Sequence, residues 1–426
     1  MKINEAKKAI LSSCADKDFE MLYQDVEQAR ARYINALNSF SDVFGNDKDV
    51  RIFSAPGRTE VGGNHTDHQR GRVLAGSVDL DIIGIVALNS DGVVRIKSEG
   101  FPICTVKIDE LEINEAEKGR ATALVRGMCA YFSEKGYKIS GFDAYTTSNV
   151  MKGSGLSSSA AFEVFIGTVL NNLFNNGNVS AIEIAKIAQK SESVYFGKPC
   201  GLLDQSASSL GGFTAVDFKD VENPVVENVN FDLDSHGYSL CVVNTGGDHT
   251  NLTQDYADIT EECRQISNYF KKDFLREVEP VEFFEELPKL KNKFSDRALL
   301  RAIHFFNEDL RAENEKQALK NNDFKEFLRL VNESGNSSYK YLQNVYSTSN
   351  VHNQGISLGL ALTEQYLMGT NAGAFRVHGG GFAGTILCFI PKELLSGYKD
   401  CIEKVFGKNS CYILKIRHKG GYEIVL

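Results

Sequence analysis

The chain has no surplus of positive charge. Its 56 acidic residues stand against 47 lysines and arginines, a formal net charge of −9, with a pI near 5.5. A nucleic-acid partner needs a basic stripe that displaces counterions, so that class is excluded. A local positive pocket for a small anion is not. No C-x-x-C pair occurs either. Nine cysteines lie scattered singly, which argues against a disulfide framework or a zinc site and leaves reduced, buried thiols. No uncharged apolar run reaches the roughly 18–20 residues that cross a bilayer, so no membrane partner is expected. The opening Met1 to Lys8 alternates charge with short apolar pieces and carries no signal-peptide core. The expected location is the cytoplasm and the expected state a monomer. Internal repeats and low-complexity segments are also missing.

What is present is ordinary soluble material. The 426 residues are 42% hydrophobic and 24% charged, enough for two domains or one large α/β unit. Residues 1–48 read as helical and polar. Phe19 to Phe44 is taken as one helix with apolar positions at Leu22, Val26, Ala29, Ile34, Leu37 and Phe40, a surface cap rather than a site. Arg51 to Ala55 reads as a short strand running into the breaker pair Pro56-Gly57. Val73 to Leu88 and Val93 to Ser98 are strand-like, the first by β-branched composition and the second by alternation. A helix is predicted over 121–135 and a strand from Gly141 to Thr147. Ser180 with Glu183 is a capping-box spacing that starts a helix running to about Tyr195. Leu240 to Asn244 is a strand, helices dominate to about residue 370, and four short strands follow. The turn-rich stretch Asp217 to Asp234 is the predicted join between two α+β halves, 1–235 and 236–426.

Four polar clusters carry chemistry. Gly153-Ser154-Gly155-Leu156-Ser157-Ser158-Ser159-Ala160-Ala161 lies between a strand and an apolar helix. Small residues let phosphate oxygens approach successive backbone N–H groups at a helix N-terminus. Serine hydroxyls add donors and can ligate Mg²⁺. The loop is neither a Walker A sequence nor a dinucleotide fingerprint. Ala55 to Gln69 packs Arg58, Thr59, Glu60, Asn64, His65, Thr66, Asp67 and His68 behind a strand, a mixture of donors and acceptors suited to a polyhydroxylated ligand. Arg58 is a fixed cation fit for a phosphoryl group or a developing alkoxide. His65, Asp67 and His68 as a metal set would lack a fourth ligand.

Lys198 to Ala207 places Asp204 among apolar and small residues, either as a functional carboxylate or as an N-cap for a helix beginning at Gln205. Glu192 sits upstream on a mainly apolar stripe with Ala185, Ala188 and Tyr195, a position that suits a carboxylate meeting a cation. Arg376 to Gly384 contains three consecutive glycines, either a second wall of a ligand site or a tight turn. His378 reads as structural.

Together these motifs resemble the GHMP kinase superfamily and, within it, the galactokinases, from about Phe44 to the C-terminus. The resemblance implies an α+β chain with the GHMP kinase fold: a ribosomal-S5-like N-terminal domain, a ferredoxin-like C-terminal domain, and a cleft between them. It implies ATP and Mg²⁺ as cofactors and a small-molecule sugar as substrate, phosphorylated at its anomeric hydroxyl. By that carry-over Asp204 is the base and Arg58 holds the reacting hydroxyl. Asn64, His65, Asp67, Gly201 and Tyr256 line the sugar pocket. Gly153, Ser154, Gly155, Leu156, Ser157, Ser158 and Ser159 hold ATP, and Ser158 and Glu192 ligate Mg²⁺.

The chain departs from the family pattern at four places. Asn64 replaces the usual Glu, Glu60 the usual Asn, and His68 the usual Tyr; the proline expected before the serine loop is missing from Val150-Met151-Lys152. An amide at 64 removes repulsion toward a C6 carboxylate. His68-Gln69 and Asp204-Gln205-Ser206-Ala207 look like galacturonokinases, in which case Arg70 or Arg72 would meet that carboxylate. Galactose is the expected substrate, with a uronic acid or another galactose derivative as the alternative. A non-catalytic galactose sensor is a third class, disfavoured because Arg58, Asp204 and Ser159-Ala160 are all in place.

Overall fold

The computed structural model describes residues 1–150, 155–247 and 252–426. Three helices open the chain: α1 (Ile3–Leu11), α2 (Asp16–Leu22) and α3 (Val26–Phe44). The single helix expected from Phe19 to Phe44 is broken, because the Asp25 carboxylate accepts the Gln28 N–H at 2.9 Å and caps a new helix. Phe19, Tyr33, Leu37 and Phe40 are fully buried against Ile83 and Ile85, so this segment closes one face of a sheet.

That sheet is built from β1 (Val50–Gly62), β2 (Arg72–Leu88), β3 (Val93–Ser98), β4 (Ile103–Lys107) and, after α4 (Ala121–Glu134), β5 (Phe142–Ser148). Helices α5 (Ser158–Phe174), α6 (Ala181–Lys190) and α7 (Leu203–Leu210) follow. A hairpin of β6 (Phe213–Asp217) and β7 (Val225–Val229) then pairs onto the far end of β2. The strand order is β4-β3-β5-β2-β1, and only β3 and β5 run parallel. Helices α4 to α6 supply the second face through Phe132, Phe165, Val169 and Ile187. Pro56-Gly57 does not end the first strand: β1 continues to Gly62, with register shifts between Pro56 and Arg58 and between Glu60 and Gly62. A bulge bends a strand and re-aims its side chains, and Arg58 and Glu60 lie between these two.

The second half opens with β8 (Tyr238–Asn244) and passes through α8 (Thr253–Tyr269), α9 (Pro280–Leu290), α10 (Asp296–Lys320), α11 (Phe324–Ser337) and α12 (Gly355–Leu367). It ends in β9 (Ala374–His378), β10 (Thr385–Pro391), α13 (Leu395–Phe406), β11 (Cys411–Leu414) and β12 (Tyr422–Ile424). Its antiparallel sheet has the order β11-β8-β10-β9, the split βαβ arrangement of ferredoxin-like domains. The last strand, β12, returns to pair with β1 in the first sheet. One cluster joins the halves, with Phe213, Phe231, Phe327 and Phe389 buried in a common core.

Asp81 fastens the corners of this frame. It is unexposed and accepts hydrogen bonds from Tyr23 at 2.5 Å, Arg417 at 3.1 Å, Ser54 and Arg32. Burial alone would lift its carboxyl, but the two guanidinium groups hold it below the usual range. Among the described residues no helix is long and apolar enough to cross a membrane.

Candidate active site

The serine loop, Arg58 and Asp204 meet at one point. Ser157 caps α5 with φ +54°, and Gly155 precedes it at φ +74°. The Arg58 N–H donates to the Leu156 carbonyl at 3.0 Å, and its guanidinium reaches the Gly155 carbonyl. That guanidinium then grips Asp204 two-handed: Nε to Oδ1 at 2.7 Å and Nη2 to Oδ2 at 2.7 Å. The Ser157 hydroxyl donates to the same Oδ2 at 2.7 Å. Burial pushes the Asp204 carboxyl up, but Arg58 and Ser157 more than offset it and hold it below the usual carboxylate range. Asp204 is the second residue of α7, whose N-cap is Leu202, so the N-cap alternative does not hold. Of the residues expected to hold ATP, Gly155 to Ser159 stand at this junction; Gly153 and Ser154 lie outside the described residues.

The polar loop after β1 forms an adjoining wall. His65 adopts φ +59°. Its Nε2 lies 2.9 Å from the Gly380 carbonyl, which can only accept, so Nε2 carries the proton and Nδ1 is left as an acceptor. Burial, with His68 nearby, lowers its pKa to about 4. The ring stacks toward Tyr256, centroids 6.4 Å apart, while the Tyr256 hydroxyl donates to the Gly381 carbonyl at 3.0 Å. Asp67 accepts the His68 N–H at 2.9 Å. Gly201 packs beside the same carboxylate, where a Cβ would lie 3.6 Å from Asp67 Oδ2. His65, Asp67, Gly201 and Tyr256 are thus brought together.

Asn64 lies behind this wall with no exposure. Helix α10 grips its backbone: His304 Nε2 donates to its carbonyl at 2.9 Å, and Glu308 accepts the N–H groups of Gly63 and Asn64 at 3.2 and 3.3 Å. Its side chain reaches Gly379, Ser338, Asn344 and Glu60. The glycine-rich turn is therefore a wall of the same site. His378 bridges Thr59 at 3.0 Å and Thr385 at 2.8 Å, lies under Gly155, and is kept neutral by burial with a pKa lowered to about 3. Arg376 is fully buried against Glu60, Glu308 and the Val61 carbonyl.

Glu192 sits in a π-helical turn, Ser191–Phe196, that interrupts the expected helix to Tyr195. It is almost wholly buried; Gln205 donates to its Oε2 at 2.8 Å and Lys198 approaches Oε1 at 3.1 Å. Gln205 also reaches Glu163 at 3.3 Å, a buried acid whose pKa burial and Glu192 push well up. Arg70 and Arg72 are not available to a ligand carboxylate. Arg70 pairs with Glu277 and lies over the Phe274 ring, and Arg72 pairs with Asp217 at 3.0 Å and Asp309 at 2.8 Å. The charge network across β2, β6 and α10 consumes Arg72, while Glu277 and the Phe274 ring hold Arg70.

Sequence reasoning passed over Gln205, His304, Glu308, Ser338 and Asn344. They sit in helices, in the π-helical turn Ser338–Leu342 or, for Asn344, in the coil just after it, and partners as far as 280 residues away mark them. A signal that could have found some of them is the density of polar residues on otherwise apolar helical faces.

The galactokinase galactose-binding signature matches residues 38–88, and the GHMP kinases N-terminal domain matches residues 123–212. A galactokinase of Actinobacillus pleuropneumoniae serotype 5b is 30% identical over 84% of this chain and 89% of that protein. One from Clostridium tetani is 28% identical over 92% and 98%. The crystal structure of Lactococcus lactis galactokinase complexed with galactose superposes with a TM-score of 0.76 at 25% identity, covering 92% of this chain and 99% of that one. A mevalonate kinase structure, at 13% identity and a TM-score of 0.57, shares the fold.

Proposed function

The chain belongs to the galactokinase family, and from that premise we propose that it transfers the γ-phosphoryl group of ATP to the C1 hydroxyl of galactose. The observation that carries this reading is the Arg58–Asp204 pair locked onto the serine loop. A carboxylate and a fixed cation stand beside a helix N-terminus, the three charges that phosphoryl transfer to a hydroxyl requires. Residues 1–235 and 236–426 are its two domains in this reading, a division supported by the placing of β1–β7 in one sheet and β8–β11 in the other, with β12 alone crossing back to the first sheet.

In the proposed mechanism Gly155 to Ser159 and the positive end of α5 hold the phosphates of ATP. His65, Asp67, Gly201 and Tyr256 hold the sugar. Arg58 lies between the two and neutralises charge as the new bond forms. Asp204 takes the hydroxyl proton. Its depressed pKa makes it a weak base for a free alcohol.

The donor set at Ser158 and Glu192, a hydroxyl and a buried carboxylate, fits Mg²⁺, which prefers hard oxygen ligands. Among the described residues no cluster of three His, Cys, Asp or Glu could hold a metal by itself, so phosphate oxygens and water would complete the set. Mg²⁺, when bound, supplies charge neutralisation for the phosphates. Glu192 already attracts a cation in Lys198, whose exposed side chain can withdraw.

The test is ADP release from Mg-ATP with galactose, galacturonate, N-acetylgalactosamine and glucose offered separately. Galactose should give the highest kcat/KM. Turnover with none of the four would overturn the kinase reading, and galacturonate outrunning galactose would overturn the substrate.

A further inference from the structure

Asn64 has no capacity left for a ligand. Its Nδ2 donates to Glu60 Oε1 at 2.8 Å and to the Gly379 carbonyl at 2.7 Å. Its Oδ1 accepts from Asn344 at 2.8 Å and Ser338 at 3.2 Å. An amide offers two hydrogens and two lone pairs, and all four are engaged in a side chain with no exposure. A sugar hydroxyl bonded to Asn64 would have to displace one of them.

Glu60 is the opposite case. Residues 58 and 60 are half-buried while 59 and 61 are buried, so the alternation of β1 turns Glu60 to the side of Arg58. Its carboxylate is 16% exposed and Oε1 is fixed by Asn64 and, at 3.3 Å, by Arg376. Oε2 makes no hydrogen bond among the described residues and is not one of their fully buried unpartnered polar atoms. A rigidly held carboxylate with one open oxygen beside the reacting cation is a recognition group. This chain carries the acid at 60 and the amide at 64, the reverse of the arrangement that the resemblance leads one to expect, and the two lie 2.8 Å apart.

We propose that Glu60 is the specificity-determining residue of the sugar pocket: its open oxygen accepts a hydrogen bond from a substrate hydroxyl, and its charge rejects a hexose bearing a carboxylate there. Asn64 is the positioning residue that holds Glu60. This rests on the sugar-kinase reading above, and it reverses the expectation that an amide at 64 admits a uronic acid.

Steady-state kinetics on galactose and galacturonate, with wild-type protein and Glu60→Gln, test it. The wild type should prefer galactose. Glu60→Gln should raise KM for galactose about 10- to 100-fold, the range for losing one charge-assisted hydrogen bond, with the loss in KM more than in kcat. It should also narrow the galactose-to-galacturonate ratio by at least about tenfold. The paired variant Glu60→Asn with Asn64→Glu, which returns the carboxylate to the other position, should recover most of the preference lost in Glu60→Asn alone. Calorimetric titration with ATP reports that each variant is folded. A folded Glu60→Gln protein with unchanged KM and ratio overturns the assignment and leaves the kinase reading intact. Wild-type protein favouring galacturonate overturns it without any variant, and wild-type protein that neither binds nor phosphorylates a sugar overturns both.

Discussion

Replacing Asp204 by Asn isolates the carboxylate charge from its shape. The amide oxygen can take the place of Oδ2 and keep the Arg58 Nη2–H and Ser157 hydroxyl bonds, now 2.7 Å each, but the Nδ2 group must then face Arg58 Nε–H, which now donates to Oδ1 at 2.7 Å. One charge-assisted hydrogen bond is lost, worth about 1.5–3 kcal/mol. The desolvation cost of a carboxylate disappears with it. The Arg58 and Asp204 side chains are 13% and 30% exposed, so solvent screens both effects and the net change in stability should stay within about 1 kcal/mol. Catalysis has no such offset. Loss of the proton acceptor should cost about 10²–10⁴-fold in kcat, equivalent to about 3–5 kcal/mol of barrier at 1.36 kcal/mol per decade. Freed from its partner, Arg58 should bind ATP at least as tightly as before. Coupled ADP-release kinetics and ATP titration calorimetry on the same preparation check this. A variant that keeps kcat within about tenfold of wild type, while folded and binding ATP, would show that Asp204 is not the base.

Other expectations follow from buried groups. His378→Ala removes a bridge between Thr59 and Thr385 and the support beneath Gly155; it should cost about 1–3 kcal/mol of stability and raise KM for ATP while leaving that for galactose in place. Asp81→Ala strands the fully buried Arg417 and should lower unfolding stability by about 3–5 kcal/mol in urea titrations. Glu308 would be lifted by burial, but Arg311, His304 and Arg376 pull it down to about 2 from 4.5. A depressed carboxylate stabilises the fold above its unfolded pKa, and that stability is lost as pH falls through 4.5 toward 2, on the order of 3 kcal/mol in all. Neighbouring Glu315, raised by burial, acts in the opposite sense. Comparing urea midpoints at pH 6 and pH 3, Glu308→Gln should lose less than wild type over that interval; an equal loss would mean that other carboxylates carry the acid limb.

Chemistry carried by a contiguous run of residues was legible in the sequence. A Gly/Ser loop feeding a helix, a polar run behind a strand, and an acid among small residues each declare a local function through backbone geometry and side-chain type, and the cleft assembles all three. The strands of both sheets were largely legible for the same reason, since alternation and β-branching are local signals. Failures came where tertiary contacts overrode local preference. Pro56-Gly57 reads as a stop, yet pairing with β2, through Pro56 opposite Asp81 and Arg58 opposite Ser77, carries β1 through it. Residues 1–48 read as a polar surface cap, and they do cap the domain, but which sheet face their apolar stripe covers sequence could not place. Most telling is Asn64. Its type and position mark it as a ligand contact, and only the fold brings Gly379, Ser338 and Asn344 from up to 315 residues away to saturate its amide. A hydrogen-bonding group has a fixed number of partners. Whether those partners are protein or substrate depends on which distant segments pack beside it, and that is decided in three dimensions.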